Sequence, residues 1–300
     1  MKTPDDDLTR RDFLSTGAAA VTFALGSTAL RAAQAKTEGD GILRFGVFTD
    51  SHYADKETAG TRYYRQSIPK LETALAEFRK QKLDFMIELG DFIDGQPTPE
   101  DEMAKSRDFK NACSVLSVPA HHIIGNHDLA VLNKEQFLSS VGAEKSYYSF
   151  SCGAFTGAAL DANFNKDGTP YECGRFDWTQ TYVPKVEREW LEAELDRVKK
   201  PVIVFVHQCL DDDGAHGVRN APEVRAIFEK SGKVAAVLQG HKHSGGFSRI
   251  AGIPYFTFKA MVEGPYPENN AFAVVEAAPG GRITIRGFGK QPSSDEPMAG

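Results

Sequence analysis

At 300 residues, with 41% apolar and 25% charged side chains, the chain has the composition of a protein that buries a core, which excludes disorder, collagen-like repeats and a polytopic membrane protein. Its 35 Lys+Arg against 41 Asp+Glu give a formal charge of -6, the wrong sign for a surface that neutralises a phosphate backbone, so no nucleic-acid partner is expected. Four cysteines without a CxxC pair (Cys113, Cys152, Cys173, Cys209) are too few for a disulfide scaffold.

In chain order, the first segment reads as an address. Thr9-Arg10-Arg11-Asp12-Phe13-Leu14 precedes a mildly apolar run from Thr16 to Leu30 and a small-x-small site at Ala33-Gln34-Ala35. This resembles a twin-arginine export signal. The resemblance implies that residues 1–35 are cleaved, that the export machinery is a partner, and that the remainder is periplasmic or secreted. No stable membrane anchor is expected, since the run is shorter than the ~20 residues that span a bilayer. A single domain is expected over residues 36–290, with 291–300 frayed.

Beyond the leader, Ile42–Thr49, Leu83–Leu89, Ala120–Ile124, Pro201–Val206 and Val234–Leu238 are apolar runs of strand length, the kind buried on both faces of a sheet. Helical patterns lie between them. Ile68, Leu71, Leu75 and Phe78 share one face after Ser67, and Trp190, Leu191, Leu195 and Val198 share another. A third helix begins near Asn220 with Pro222 in its first turn and stops at Gly232. This alternation predicts α/β layers. From Ile253 on, Tyr255–Lys259, Ala271–Glu276 and Arg282–Arg286 read as strands without helices between them, which predicts an antiparallel meander added to the sheet.

The polar residues follow the strands. Asp50-Ser51-His52, Gly90-Asp91, Gly125-Asn126-His127-Asp128, His207 and Gly240-His241-Lys242-His243 each close one of the five runs. Ligands in α/β sheets bind outside the carboxyl ends of strands, so the five clusters should converge. Imidazoles and carboxylates without cysteine suit manganese, iron, zinc or cobalt and argue against a structural zinc site. In this order the motifs resemble those of the calcineurin-like metallophosphoesterases, over nearly all of the chain beyond the leader.

That resemblance implies a layered αββα sandwich of two mixed sheets flanked by helices. It implies two divalent or transition metal ions, manganese first, one held by Asp50, His52 and His243 and the other by Asn126, His207 and His241, with Asp91 bridging. A metal-bridging hydroxide would attack phosphorus in line with the leaving group. His127 would meet the phosphate and the leaving-group oxygen as hydrogen-bond donor or general acid. Asp128, where many relatives have Glu, would fix the His127 tautomer. Five of the eight histidines fall in the motifs; of the rest, His121 and His122 are expected on opposite faces of their strand, and His216 in a solvated loop.

The substrate implied is a small phosphate ester. Arg62, Tyr63, Tyr64 and Arg65, soon after the Asp50 motif, offer guanidiniums to clamp a second phosphate and rings to stack on a base. With Gly90–Gly95 and Gly240–Gly246, this stretch is similar to manganese-dependent ADP-ribose/CDP-alcohol diphosphatases, so phosphodiester or diphosphate hydrolysis, including nucleoside diphosphate derivatives, is expected. The alternatives are a phosphomonoesterase or nucleotidase, and a non-catalytic binding protein, which would have lost ligands. Purple acid phosphatases carry a tyrosine three residues after the Gly-Asp aspartate; here Asp94 stands there. The polar insert from Asp161 to Tyr182 is expected to wall the site. Cys152 and Cys173 could pair, although no spacing rule requires it, and Cys209 should lie near the metals or fill the core.

Overall fold

The apolar runs become strands because their β-branched and aromatic residues pack on both faces. The computed structural model describes residues 41–299, so the twin-arginine segment lies outside the described residues. One sheet contains β1 (Leu43–Phe48), β2 (Phe85–Glu88) and β3 (Ala120–His122), all parallel. The other contains β4 (Tyr148–Cys152), β5 (Phe155–Ala159), β6 (Val202–Val206), β7 (Val234–Gln239), β8 (Gly246–Ile250) and β9 (Ile253–Thr257), in the order β4-β5-β6-β7-β9-β8. Strands β5, β6, β7 and β9 run parallel, and β4 and β8 are antiparallel edges.

Period-2 alternation sorts the strand residues into layers. Phe45, Val47, Phe85 and Ile87 face Ile203, Phe205, Ala236 and Leu238 between the sheets. Phe45 stacks on Phe85 at 4.7 Å and meets Phe205 of the other sheet edge-on at 5.7 Å. On the outer face of the first sheet, Phe48 and Met86 pack on α1 (Ser67–Phe78), α2 (Pro99–Cys113) and α3 (Lys134–Val141) through Leu71, Phe109 and Phe137. On the outer face of the second, Val204 and Val237 pack on α4 (Lys185–Arg197) and α5 (Ala221–Ser231) through Leu191 and Phe228. The result is the αββα sandwich. Each large apolar side chain so buried contributes roughly 1.5–3 kcal/mol, so three apolar layers, without any disulfide, hold the fold. Among the described residues no helix is long and apolar enough to cross a membrane.

The tail departs from the single meander expected. Strands β8 and β9 extend the second sheet, whereas β10 (Ala271–Ala277), β11 (Arg282–Gly289) and β12 (Ser294–Pro297) extend the first in the order β12-β11-β10-β1. The expected fraying of 291–300 is also corrected. Ser294–Pro297 pairs with Arg282–Ile285, and the Arg282 Nε reaches both oxygens of Asp295 at 2.9 Å. Helix α2 escaped the sequence reading because its inward stripe is Glu102, Ser106, Phe109 and Cys113, half of it polar. Its start is nonetheless built by rule, with Thr98 as N-cap, Pro99 next and three acidic residues in the first turn. Cys152 faces the inter-sheet core and Cys173 is exposed; all four thiols are free, so the pairing does not occur.

Candidate active site

Five strand ends converge as expected, and their backbones show how. Asp50, His52, Asp91 and His241 all take left-handed φ values, 52°, 44°, 56° and 67°. Such conformations cost a non-glycine residue of order 1–3 kcal/mol and persist where the surroundings over-determine them. The loops lock each other: Asp50 N–H donates to Gly90 O at 2.9 Å, His52 N–H to Asp91 O at 2.8 Å, and Gly240 N–H to His207 O at 3.0 Å. Glycine permits this approach. A Cβ at Gly125 would lie 2.1 Å from the Asp91 nitrogen, and one at Gly240 would lie 2.1 Å from Thr49 Oγ1.

Each carboxylate spends one oxygen on the scaffold and presents the other. Asp50 Oδ2 accepts from His241 N–H at 3.0 Å and Thr49 Oγ1 at 2.7 Å, leaving Oδ1 facing His243 Nε2 at 3.3 Å and His52 Nε2 at 3.7 Å. Asp91 Oδ1 accepts from His127 N–H at 2.8 Å, while Oδ2 faces His52 Nε2 at 3.6 Å and His207 Nε2 at 3.2 Å. A single Asp91 oxygen therefore lies between His52 of one donor set, Asp50/His52/His243, and His207 of another, Asp91/His207/His241, and a third set joins Asp91 to His52 and His127.

The donors fit metal ions. The other ring nitrogens of three histidines are already engaged: His207 Nδ1 with Leu89 O at 2.7 Å, His52 Nδ1 with Asp94 Oδ2 at 3.0 Å and His243 Nδ1 with Glu263 Oε1 at 2.5 Å. In the neutral form that metal binding requires, with those Nδ1 atoms protonated, His52 Nε2 and His243 Nε2 point lone pairs at each other across 3.2 Å, and His207 Nε2 meets His241 Nδ1 at 3.2 Å. Asp50 Oδ1, Asn126 Oδ1 and His241 Nε2 are buried without a hydrogen-bond partner. Facing lone pairs and orphaned oxygens in a buried site are costly unless cations lie between them. Carbonyl, Asp94 and Glu263 partners of this kind orient metal-bound imidazoles and raise their basicity.

Electrostatics agree. Burial opposes ionisation of Asp50 and Asp91, yet the surrounding imidazoles hold both carboxyls below their usual range. Burial likewise opposes charge on His207 and His243, but the Asp91 and Asp50 carboxylates push both up to about 9. In chelator-treated protein these raised values add stability that is fully present below pH 6.5 and lost as pH rises through about 9. Metal binding requires neutral imidazoles and strengthens over the same window. Melting temperatures from pH 6.5 to 9 are therefore expected to fall in chelator while the increment added by metal grows; a shrinking increment would contradict the assignment.

Two expectations about neighbouring residues are corrected. Asp128 does not orient His127. Its carboxylate points inward and accepts from the N–H groups of Gly125 (2.8 Å), Phe92 (2.8 Å), Ile93 (3.1 Å) and Asp91 (3.2 Å), tying the Asp91 and Asn126 loops together. Asp94 orients the ring instead: its Oδ2 lies 3.1 Å from His127 Nδ1 and 3.0 Å from His52 Nδ1, and Lys56 Nζ donates to its Oδ1 at 2.7 Å. Arg65 is turned away from the site, paired with Asp55 and Glu57 at 2.5 Å each. Tyr64 is buried against Ala54, Ala260 and Val262 and offers no open face. Tyr63 is half-buried, its N–H donating to Val262 O. Arg62 alone of the four lines the cleft, with Asp91, Asn126, His127, Trp178, His216, His241 and His243, enclosing about 210 Å³.

His216, expected in solvent, is half-buried against His241, with ring centroids 5.3 Å apart. The insert does wall the site, through Trp178. His121 and His122 do take opposite faces, one stacked on Phe150 between the sheets and one against Phe92 under the helices. Cys209 is buried filler, its Sγ 3.6 Å from Gly240 O. A larger cavity of about 280 Å³, by Phe247 and Pro292, has no carboxylate or imidazole in its lining.

No motif points to Glu263 or to Lys70, which positions it. The buried Lys70 ammonium donates to the carbonyls of Met261, Val262, Glu263 and Gly264 at 2.9, 3.1, 3.0 and 2.6 Å. Lys70→Met strands these acceptors, and since hydrogen bonds to charged groups contribute roughly 1.5–3 kcal/mol, a destabilisation of about 2 kcal/mol is expected in urea unfolding.

Fold and donor set together define a class, the hydrolases that cleave phosphate esters at metal ions. The sequence profile of the calcineurin-like phosphoesterases matches residues 43–245, and the chain belongs to that family. Similar curated proteins are the manganese-dependent ADP-ribose/CDP-alcohol diphosphatases of Xenopus laevis, 24% identical over 82% of this chain and 88% of that one, and of Oryza sativa, 28% identical over 79% and 89%. A solved dimetal phosphatase from Danio rerio shares the fold with a TM-score of 0.75 at 22% identity, covering 86% of this chain and 99% of that one.

Proposed function

We propose that the chain is a manganese-dependent hydrolase of the diphosphate bond in nucleoside diphosphate derivatives, ADP-ribose and CDP-alcohols among them. The observation that carries this reading is the single Asp91 oxygen facing both donor sets, with His127 beside it at the cleft. The names of the similar diphosphatases supply the substrate class. Asp50, His52 and His243 would hold one ion, Asn126, His207 and His241 the other, and Asp91 both. Such a pair supplies Lewis acidity toward phosphoryl oxygens and activates water near neutral pH.

The residues of the chain do the rest. His127, with its Nδ1–H held by Asp94, keeps Nε2 for the substrate; entering the reaction as the imidazolium, it hands its Nε2 proton to the leaving oxygen as the bond from phosphorus breaks and is left neutral. Arg62 reaches the second phosphate from the cleft wall. The test is a panel of ADP-ribose, CDP-choline, cyclic nucleotides and p-nitrophenyl phosphate with manganese-loaded protein. Release of AMP and ribose 5-phosphate from ADP-ribose is expected to dominate; faster monoester turnover would make the enzyme a phosphomonoesterase. The Arg10-Arg11 segment supports export, for which periplasmic protein beginning near Lys36 is the expected observation and intact Met1 in the cytoplasm the contrary one.

A further inference from the structure

The cleft is too small for the substrate class just proposed. Pockets that enclose drug-sized ligands run from about 300 Å³ upward, and this one holds about 210 Å³. The phosphates can occupy it, so the remainder of a nucleoside diphosphate must lie on its rim. One rim residue is chemically out of place in water. Among the described residues the exposed large apolar side chains are Val115, Trp178, Val186, Phe247 and Tyr266, and only Trp178, 41% exposed, lines this cleft.

Trp178 is also held in place. Asp177 Oδ1 accepts from Thr179 N–H at 3.0 Å, Asp177 O accepts from Tyr171 OH at 2.9 Å, and Arg219 Nε donates to Thr179 O at 2.6 Å. Its indole leans on His241 (5.5 Å between centroids, 72°) and His216 (5.7 Å, 50°). These two rings contact each other at 5.3 Å, so three rings form one aromatic wall above the Asp91/His207/His241 donors. Arg62 stands toward the other set, its Nη1 3.7 Å from Asp94 Oδ2. The cleft is thus aromatic on one side and cationic on the other.

We infer that Trp178, backed by His216, is the stacking platform for the nucleobase of the substrate, a specificity-determining residue of the insert. This rests on the diphosphatase reading for its ligand class, but its test does not need turnover. Base–aromatic stacking contributes about 1–3 kcal/mol per base, or roughly 5- to 150-fold in affinity. A preorganised indole gains most of that, because no loop has to be ordered on binding.

The experiment measures binding of AMP and of ribose 5-phosphate to manganese-loaded wild type, Trp178→Ala and Trp178→Phe by calorimetry, with ADP-ribose kinetics alongside. AMP is expected to bind wild type at least 5-fold more tightly than ribose 5-phosphate. Trp178→Ala should erase that advantage, leave ribose 5-phosphate binding unchanged and raise KM for ADP-ribose 5-fold or more with kcat within about 2-fold; Trp178→Phe should recover most of the loss. Equal affinities of wild type for AMP and ribose 5-phosphate overturn the inference, as does equal weakening of both ligands by Trp178→Ala, which would make the indole a mere support for His241. If AMP behaves as expected but ADP-ribose is not cleaved, the diphosphatase reading fails and the base platform stands.

Discussion

Replacing His127 with alanine is expected to lower turnover by roughly 10² to 10⁴ while metal content stays at the wild-type level. The two halves of this expectation have separate structural origins. The imidazole is part-exposed at the cleft, and its ion pair is with Asp94, which fixes Nδ1 and leaves Nε2 for the substrate. Its removal deletes a proton donor without deleting a carboxylate or one of the facing imidazole pairs. The contact that matters for Asp91, the His127 N–H to Asp91 Oδ1 bond at 2.8 Å, belongs to the backbone and survives the substitution. Metal analysis and steady-state kinetics on the same preparation check both halves. Unchanged turnover would remove His127 from the mechanism, and lost metal would make it a ligand.

Asp91→Asn is expected to act on the other half of the site. Asparagine keeps the volume, tolerates the left-handed backbone at φ 56° and can still accept from His127 N–H, so the fold should persist. The anionic oxygen shared by His52 and His207 is lost. Both donor sets then lack their common charge, metal content should fall from two ions per chain to one or fewer, and turnover should drop by on the order of 10³ or more, corresponding to several kcal/mol of lost charge stabilisation. Asp91 is what raises His207 to about 9 against burial, so the variant should also lose the His207 part of the pH dependence expected for the chelated protein, while the His243 part, set by Asp50, remains. Two bound ions at wild-type affinity would refute the bridging role.

Sequence and structure agree most closely where chemistry and secondary structure coincide. Valine- and isoleucine-rich runs that end in aspartate or histidine announce both a buried parallel strand and a ligand at its carboxyl end, and the structure brings Asp50, His52, Asp91, Asn126, His207, His241 and His243 together on that rule. They part where adjacency in the chain differs from geometry in the fold. Asp128 follows His127, but the short 3-10 turn over His127–Leu129 aims its carboxylate into four backbone amides and leaves orientation of the ring to Asp94, from another strand end. Charge and aromaticity alone did not separate Arg62 from Arg65, because Asp55 and Glu57 neutralise only the second. Helix α2 was hidden by its polar inner stripe, and Glu263 by the absence of any motif around a residue that matters only through the His243 ring. Trp178 was legible only as part of the polar insert, and its place at the rim follows from a local bond of Tyr171 and a long-range bond of Arg219.

Two ions held through Asp91 are proposed to make this chain a diphosphatase. Metal-stripped protein titrated with manganese, with AMP release from ADP-ribose followed at each addition, tests it directly. Turnover is predicted to be absent at the start, to rise through the second equivalent and to level off at two ions per chain. Saturation at one ion, or full turnover by the stripped protein, would contradict the account.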